Sequence, residues 1–195
     1  LASLGADASL AAADDAAVQA ATERAAESAS TEALRTAGTE GVTDAALNSA
    51  EQNAVTQQQL TNTLNPQAVT FDTPINTQGV SLVSSTQITP AVSGYYLLIW
   101  TAQAHITSGS NKNLWLWLRK NGVDIANSTQ DTQFNAGPPV YITGENIVQL
   151  NANDYVEVWM AGDSINCQIQ AQAASAGPPA YPASPSLQIT ITQVG

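Results

Sequence analysis

The pattern of apolar and polar positions divides this chain into two unlike parts. Residues 1–65 are mainly Ala, Thr, Ser, Gln, Asn, Asp and Glu, and they contain no proline and no aromatic residue. From Pro66 onwards lie all nine prolines, four tryptophans, five tyrosines and two phenylalanines. The pattern therefore predicts an Ala-rich attachment and stalk segment over residues 1–65, followed by one folded domain over residues 66–195.

The Ala-rich segment has the composition of a helix. Ala is the best helix former, and residues 1–37 lack proline. A partial heptad, which favours a thin coiled coil of several chains, comprises Leu4, Ala11, Val18 and Ala25. A second helical stretch is predicted from Thr43 to about Thr63. Because an Ala seam buries little area, an isolated helix of this kind is marginal in water, and a disordered acidic linker is the alternative.

The second part alternates with the period of β-strands. Seven or eight short runs with turn residues between them predict an antiparallel sandwich. The longest predicted strand is Tyr95–Thr107, and Asn121-Gly122 predicts a type I′ hairpin. The closing strand alternates cleanly, so one set of its residues is predicted to be buried and the next set exposed: Leu187, Ile189 and Ile191 against Gln188, Thr190 and Thr192.

Three of the predicted strands are apolar on both faces, at least in part. A solitary sandwich would leave one of these faces in water, as a patch larger than monomers usually tolerate. Full burial of each such side chain is worth about 1.5–3 kcal/mol. The pattern therefore predicts that neighbouring copies cover the second face. The residues predicted at this interface are Tyr95, Leu97, Ile99, Trp115, Trp117, Tyr155 and Trp159.

Four segments occur in the order of a known family. They are ITPAVSGYYLLIW, LRKNGVDI, VQLNANDYVEVWM and LQITITQV, and the resemblance that their order carries covers roughly residues 68–195. In this order they resemble the C1q/TNF family, which implies a jelly-roll sandwich that forms homotrimers around a three-fold axis. No Gly-X-Y collagen repeat precedes the domain, and a Pro-rich insert lies at Ala176–Pro185. An acidic Ala-rich stalk before such a knob is similar to a bacteriophage head, neck or tail fibre.

Charge narrows the set of partners. The formal net charge is −11 with only five basic residues, so the sequence predicts no nucleic-acid binding. It also predicts no membrane insertion, since no apolar run approaches the ~20 residues of a bilayer span. The single cysteine excludes an internal disulfide.

The candidate reactive groups are few, and each has a simpler interpretation. His105 is read as a polar residue at a strand end and Cys167 as a packing residue, against a His–Cys dyad or a metal site on a three-fold axis. Three carboxylates could serve a glycosidase but are read as turn and strand residues: Asp154, Glu157 and Asp163. We therefore predict no enzyme, no catalytic residue, no cofactor and no metal site, and leave calcium binding by the loops open.

Recognition is predicted in loops beside Pro-Pro and Gly, which hold Phe134, Tyr141 and Tyr181. Trp100, Trp115, Trp117 and Trp159 are read as packing residues rather than sugar-stacking ones, because they alternate with Leu or Val inside strands. The sequence thus predicts a non-enzymatic virion protein: a trimeric fibre with a C1q-like knob. Its partners would be copies of itself, other virion proteins through residues 1–65, and a host-surface glycan or protein. The alternatives are a capsid decoration protein and a small carbohydrate-active enzyme.

Overall fold

The computed structural model describes Gln19, Thr22 and residues 48–195. Gln19 and Thr22 are both helical and exposed. The rest of the predicted helix over residues 1–37, and its heptad, lies outside the described residues. Within residues 48–195 the chain forms strands joined by turns and short loops, so the prediction of a mainly β domain is confirmed.

Fourteen strands follow one another along residues 48–195, several of them only two or three residues long. They are β1 Ser49–Ala54, β2 Gln58–Gln59, β3 Gln67–Ala68, β4 Thr73–Gln78, β5 Val80–Val83, β6 Gln87–Pro90, β7 Gly94–Ile106, β8 Lys112–Lys120, β9 Val123–Asp124, β10 Gln130–Phe134, β11 Val140–Leu150, β12 Val156–Gly162, β13 Cys167–Ile169 and β14 Leu187–Gln193.

The strands form two antiparallel sheets. In the first sheet, β7 pairs with β11 along one edge and with β14 and then β13 along the other. Beyond β14 the sheet continues through β1 to β4, and β2 pairs with β13. The second sheet runs β10-β8-β12-β6-β5, with β3 on β12 and β9 on β8. Two such sheets enclosing one apolar core make an antiparallel jelly-roll sandwich.

The long central strand β7 has the two faces that its sequence predicts. Tyr96, Leu98 and Trp100 point into the core and are fully buried. On the opposite face, Tyr95 is 50% exposed and Ile99 is 42% exposed. A period of two places alternate residues on opposite sides of a sheet, so a continuous apolar run leaves one apolar row outside the core.

Two local predictions are confirmed. In β14, Leu187, Ile189 and Ile191 are buried, while the residues between them are exposed or partly exposed. At the tip between β8 and β9, Asn121 and Gly122 have φ values of 50° and 78°. A type I′ turn needs a positive φ at both central positions, which Asn and Gly tolerate best.

The helix predicted from Thr43 to about Thr63 is wrong over its described part. Strand β1 occupies residues 49–54 there, paired with β14 on one side and β4 on the other. The pairing partners are more than 130 residues and about 25 residues away along the chain, so local propensity cannot report them. The compact β unit is Leu47–Gly195, so it begins upstream of the predicted boundary at residue 66.

Strand β1 carries a polar side chain into the core. Gln52 is fully buried, and neither Nε2 nor Oε1 has a hydrogen-bond partner among the described residues. Burying an amide without such a partner costs about 1–3 kcal/mol. We therefore expect Gln52→Met, which has a similar shape without the polar ends, to raise the free energy of unfolding by about 1–3 kcal/mol in urea titrations.

A second buried glutamine provides the matched control. The Nε2 atom of Gln103 donates to Ser184 Oγ at 2.8 Å and to the Pro185 carbonyl at 2.7 Å. The same change, Gln103→Met, should therefore lower the free energy of unfolding by about 1–3 kcal/mol. If Gln52→Met were also destabilising, an internal water bonding the Gln52 amide would be the explanation, and the expected gain would be contradicted.

The Asp154 carboxylate links turns at the ends of three strands. Asp154 accepts hydrogen bonds from Asn121 Nδ2 and from the Asn151 backbone N–H, both at 2.8 Å. The ammonium group of Lys120 lies 2.9 Å from Asp154 Oδ2, the oxygen that also accepts from Asn151. These interactions, led by the Asn121 hydrogen bond, lower the pKa of Asp154 from 3.8 to about 2. The carboxylate therefore fastens the β8–β9 turn to the turn before β12.

The lowered pKa makes the stabilisation by Asp154 depend on pH. It should be complete above the ordinary pKa of 3.8 and be lost as the pH falls towards 2, because protonation removes the charge from the bonds. We expect Asp154→Asn to be less stable than the parent chain at pH 7 and to approach it near pH 2. Urea unfolding across this range measures the difference; a difference that stays constant with pH would contradict the expectation.

Candidate functional site

The outer face of the first sheet carries an apolar band, formed by Tyr95, Leu97, Ile99 and Ile147. The first three alternate along β7, and Ile147 of β11 lies directly across from Leu97. Ile147 is 67% exposed, and Leu97 is partly exposed. The band is thus a continuous patch that the sandwich itself does not cover.

Polar residues border the band on both sides. Thr190 and Thr192 of β14 lie across from Ile99 and Leu97. On the other side, Glu145 of β11 lies across from Ile99. An apolar centre with a polar rim is the arrangement of a protein–protein interface.

The structure divides the seven predicted interface residues between the two sheets. Tyr95, Leu97 and Ile99 lie together in the band. Trp115 and Trp117 lie on β8, Trp159 on β12 and Tyr155 just before β12, in the second sheet. Because the outer faces of the two sheets point in opposite directions, a single flat interface cannot contain both groups.

Two tryptophans of the second sheet, Trp117 and Trp159, are covered by other side chains of the same chain. Trp117 is only 9% exposed, and its indole N–H donates to Asp124 Oδ1 at 2.7 Å. The Arg119 guanidinium lies over the ring of Trp159, 3.9 Å from its centroid. The sequence pattern did not anticipate these contacts, which come from Asp124 of β9 and from Arg119 of β8.

The predicted recognition residues also have different positions. Phe134 is wrong as a recognition residue, because it ends strand β10 and packs in the core at 8% exposure. Tyr141 lies on strand β11 rather than in a loop and is 67% exposed, on the same face as the band. Tyr181 is exposed in the Pro-rich insert, where its backbone pairs with Ser175.

His105 and Cys167 do not form a dyad. Cys167 is buried and its thiol lies 3.5 Å from the Asn113 carbonyl, between the sheets. His105 lies on the outer face, where its Nδ1 is 2.9 Å from Gln168 Nε2. Burial, with a smaller contribution from the charge of Asp163, raises the pKa of the Cys167 thiol, which disfavours the nucleophilic thiolate.

The three weighed carboxylates are separated and individually bonded. Asp154 and Asp163 lie at opposite ends of β12, and Asp163 accepts from the Asn113 side chain at 2.8 Å. Glu157 is buried, with Oε1 bonded to Thr86 and Oε2 to Trp159. Across the described part of the chain, no three His, Cys, Asp or Glu side chains are grouped to hold a metal ion. Among the same residues, no helix is long and apolar enough to cross a membrane.

Sequence reasoning missed one member of the band. Ile147 lies in β11, whose segment ENIVQL alternates polar and apolar residues only irregularly. The register Ile147↔Leu97 is set by the pairing of β11 with β7, some fifty residues apart. The available signal was the isolated apolar pair Ile147-Val148, one of whose members had to face outward.

The two sheets and their strand order define the class of fold: a jelly-roll sandwich of the C1q/TNF type, as the sequence resemblance implies. Among solved structures, that of murine APRIL at pH 5.0 is similar, with a TM-score of 0.50 over 76% of this chain and 99% of that one. The identity is only 9%, so the likeness shows the fold alone. No family model matches the sequence, and no curated protein matches it.

Proposed function

We propose that this chain is a non-enzymatic structural protein of a bacteriophage virion. Three copies form a fibre whose head is the jelly-roll sandwich and whose N-terminal segment attaches to the particle. The fibre belongs to a head, neck or tail appendage. The observation that carries the proposal is the exposed apolar band on the outer face of the first sheet.

The band supports self-association through that sheet. Its members are among the larger exposed apolar side chains of the described chain, with Ile147 at 67% and Tyr95 at 50%. Covering each of them fully would contribute about 1.5–3 kcal/mol. Three copies around an axis cover all three bands at once, and homotrimers are what the C1q/TNF resemblance implies.

Attachment is assigned to the segment that precedes the sandwich. Strand β1 belongs to the knob, and the compact β unit begins at Leu47, so the attachment segment is residues 1–46 rather than 1–65. Its acidic, Ala-rich composition differs from that of the knob and suits a segment docked on other virion proteins. A trimeric knob also presents three copies of every surface site, so weak contacts with a host surface gain through multivalency.

A structural rather than enzymatic role is supported by the state of the reactive groups. His105 and Cys167 lie on opposite faces of their sheet, and the Asp154, Glu157 and Asp163 carboxylates each hold a local hydrogen bond. None of these groups converges with another on a shared cleft.

The molar mass in solution tests the proposal. Light scattering of the full chain should give three times the 20.2 kDa of one chain. A chain lacking residues 1–46 should remain trimeric but fail to bind particles from which the fibre has been removed. A mass of 20.2 kDa would contradict the trimer. If particles that lack the protein lose shell stability but still adsorb normally, the chain would be a decoration protein instead.

A further inference from the structure

The outer face of the second sheet contains a cleft that the proposed fibre architecture does not use. It has a volume of ≈ 300 Å³, at the lower end of the range of small-molecule sites. We call it the Trp115 cleft; its lining residues are Trp115, Trp117, Asp124, Ile125, Thr129 and Ala161. The geometry points to a binding site for a neutral pyranose sugar, stacked on the indole of Trp115.

The indole of Trp115 is accessible from the cleft. Trp115 is partly exposed, and the residue across from it on β12 is the small Ala161. A large side chain at that position would cover the indole. An accessible indole beside a small neighbour offers a flat apolar surface to the C–H face of a sugar ring.

The Asp124 carboxylate lines the same cleft and has one oxygen available for a ligand. Asp124 Oδ1 accepts from both Trp117 Nε1 and Arg119 Nε, so the carboxylate is held in a fixed orientation. Oδ2 has no hydrogen bond from the described residues. The hydrogen bond from Arg119 and then that from Trp117 lower the pKa of Asp124, which keeps the group ionised. An oriented ionised oxygen is a strong acceptor for a sugar hydroxyl, and the exposed Thr129 hydroxyl lies at the same cleft.

The number of free aromatic faces at the cleft favours a sugar over a cation as the ligand. Two tryptophans and a carboxylate also suit a quaternary ammonium group, which needs several free aromatic faces. Here the Arg119 guanidinium already covers Trp159 and lies 5.8 Å from the centroid of Trp117, which is itself nine-tenths buried. Only the indole face of Trp115 remains free, which cannot enclose an ammonium group, although Asp131 lies across from Trp115 on β10 and Asp124 has Arg119 as its positive partner. The site therefore favours a neutral, hydroxyl-rich ligand.

The proposed sugar site extends the proposed function, and it rests on that function in one respect, which is the multivalency of the trimer. The apolar band lies on the first sheet and the cleft on the second, so trimerisation through the band leaves all three clefts open. Three sites of weak intrinsic affinity then act together on a surface that displays many sugars. Binding of a single free sugar, however, does not require the trimer.

The test uses the full chain labelled with ¹⁵N at tryptophan, so that the indole N–H signals are resolved by NMR. The probes are the methyl glycosides of glucose, galactose, mannose and N-acetylglucosamine. At least one should shift the Trp115 signal with a dissociation constant of about 1 mM, as expected for a ligand of this size at ordinary efficiency. No shift with any of the four at about 20 mM would overturn the inference.

Three variants make the test specific. Trp115→Leu, in which the indole signal of Trp117 at the same cleft is the reporter, should weaken binding at least about tenfold. Thr129→Val, an exposed and nearly isosteric change, should weaken it about threefold to tenfold. Tyr141→Ala removes an aromatic ring that is more exposed than Trp115 from the other sheet and should leave binding unchanged. Loss of binding in Tyr141→Ala with retention in Thr129→Val would place the site elsewhere and overturn the inference. So would a shift of Trp115 by tetramethylammonium but not by the glycosides.

A variant disrupted in the band separates this inference from the proposed function. In Ile99→Glu, the intrinsic affinity for the free glycoside should stay within about twofold of the parent chain. Binding to a glycoside-coated surface should fall strongly, since avidity is lost. A parent chain that binds glycosides as a monomer would retain the sugar site and reject the trimer.

Discussion

The double variant Ile99→Glu/Ile147→Glu is expected to convert the proposed trimer into monomers that remain folded. Both side chains are exposed in one chain, at 42% and 67%, so the change should not disturb the core. Circular dichroism and the urea midpoint at high dilution should therefore match those of the parent chain. The mass measured by light scattering should fall from three chains to one.

The size of this effect follows from the charge introduced. Each glutamate removes an apolar contact and would bring a carboxylate, without a positive partner, into an interface beside Glu145, which already lies across from Ile99. Each truncation or charge at the centre of an interface commonly costs at least about 2 kcal/mol. Across three copies, we expect the trimer to dissociate at concentrations at least about a thousandfold higher than for the parent chain.

The matched control is Val123→Glu. Val123 is 69% exposed, similar to Ile147, but it lies in β9 beside the hairpin turn of the second sheet. It should leave the mass at three chains. Dissociation by Val123→Glu, with a trimer retained in the double variant, would place the interface on the second sheet and contradict the assignment to the band.

Gly144→Ala is expected to lower the free energy of unfolding by about 2–3 kcal/mol. Gly144 lies directly across from Trp100 in the β11–β7 pair, and the indole packs over its Cα. A Cβ atom at this position would be 2.6 Å from the indole Nε1 and closer still to two ring carbons. Trp100 is fully buried, so its ring cannot move aside without disturbing the core.

A double-mutant cycle tests the cause of this loss. Trp100→Leu is itself destabilising, by about 3–5 kcal/mol at most, because it removes a buried ring. In that background Gly144→Ala should cost much less, since the clashing atoms are gone. Gly137→Ala, in an open loop where a Cβ would meet only the Asn135 carbonyl at 3.9 Å, should change stability by less than about 0.5 kcal/mol. Equal losses in both backgrounds would contradict the steric explanation.

The face assignment of the central strand shows how far sequence patterns reach. Alternation along Tyr95–Trp100 is a local property of an extended chain, so both rows could be assigned before the pairing was known. The Asn121-Gly122 turn is equally local, because it depends on which residues tolerate a positive φ.

The pattern could not report what covers an outward-facing apolar side chain. Trp117 and Ile99 look alike in sequence, since each is an apolar residue on the second face of an apolar strand. In the structure Trp117 is covered by Asp124 and its neighbours, whereas Ile99 stays 42% exposed. Whether an outward-facing side chain is covered depends on which segments fold back over the sheet, and this is a property of the tertiary structure.

At residues 49–54 the sequence pattern predicted a helix where the chain forms a strand. Their composition favours a helix, but β14 and β4 offer two strand edges between which this segment fits. The hydrogen bonds and burial supplied by two neighbouring strands outweigh a helix preference of less than ~1 kcal/mol per residue.

The strand-rich class, the alternation of β7 and β14, the hairpin turn and the order of segments that resembles a C1q/TNF jelly roll can all be read from the linear pattern. These features depend on contacts within a few residues, which a linear pattern records. Three features emerge only when the chain is folded: β1 joins the first sheet, Ile147 completes the apolar band, and Trp115 lines a cleft on the opposite sheet. Each of these depends on the register between distant strands, which sets the neighbours of a side chain.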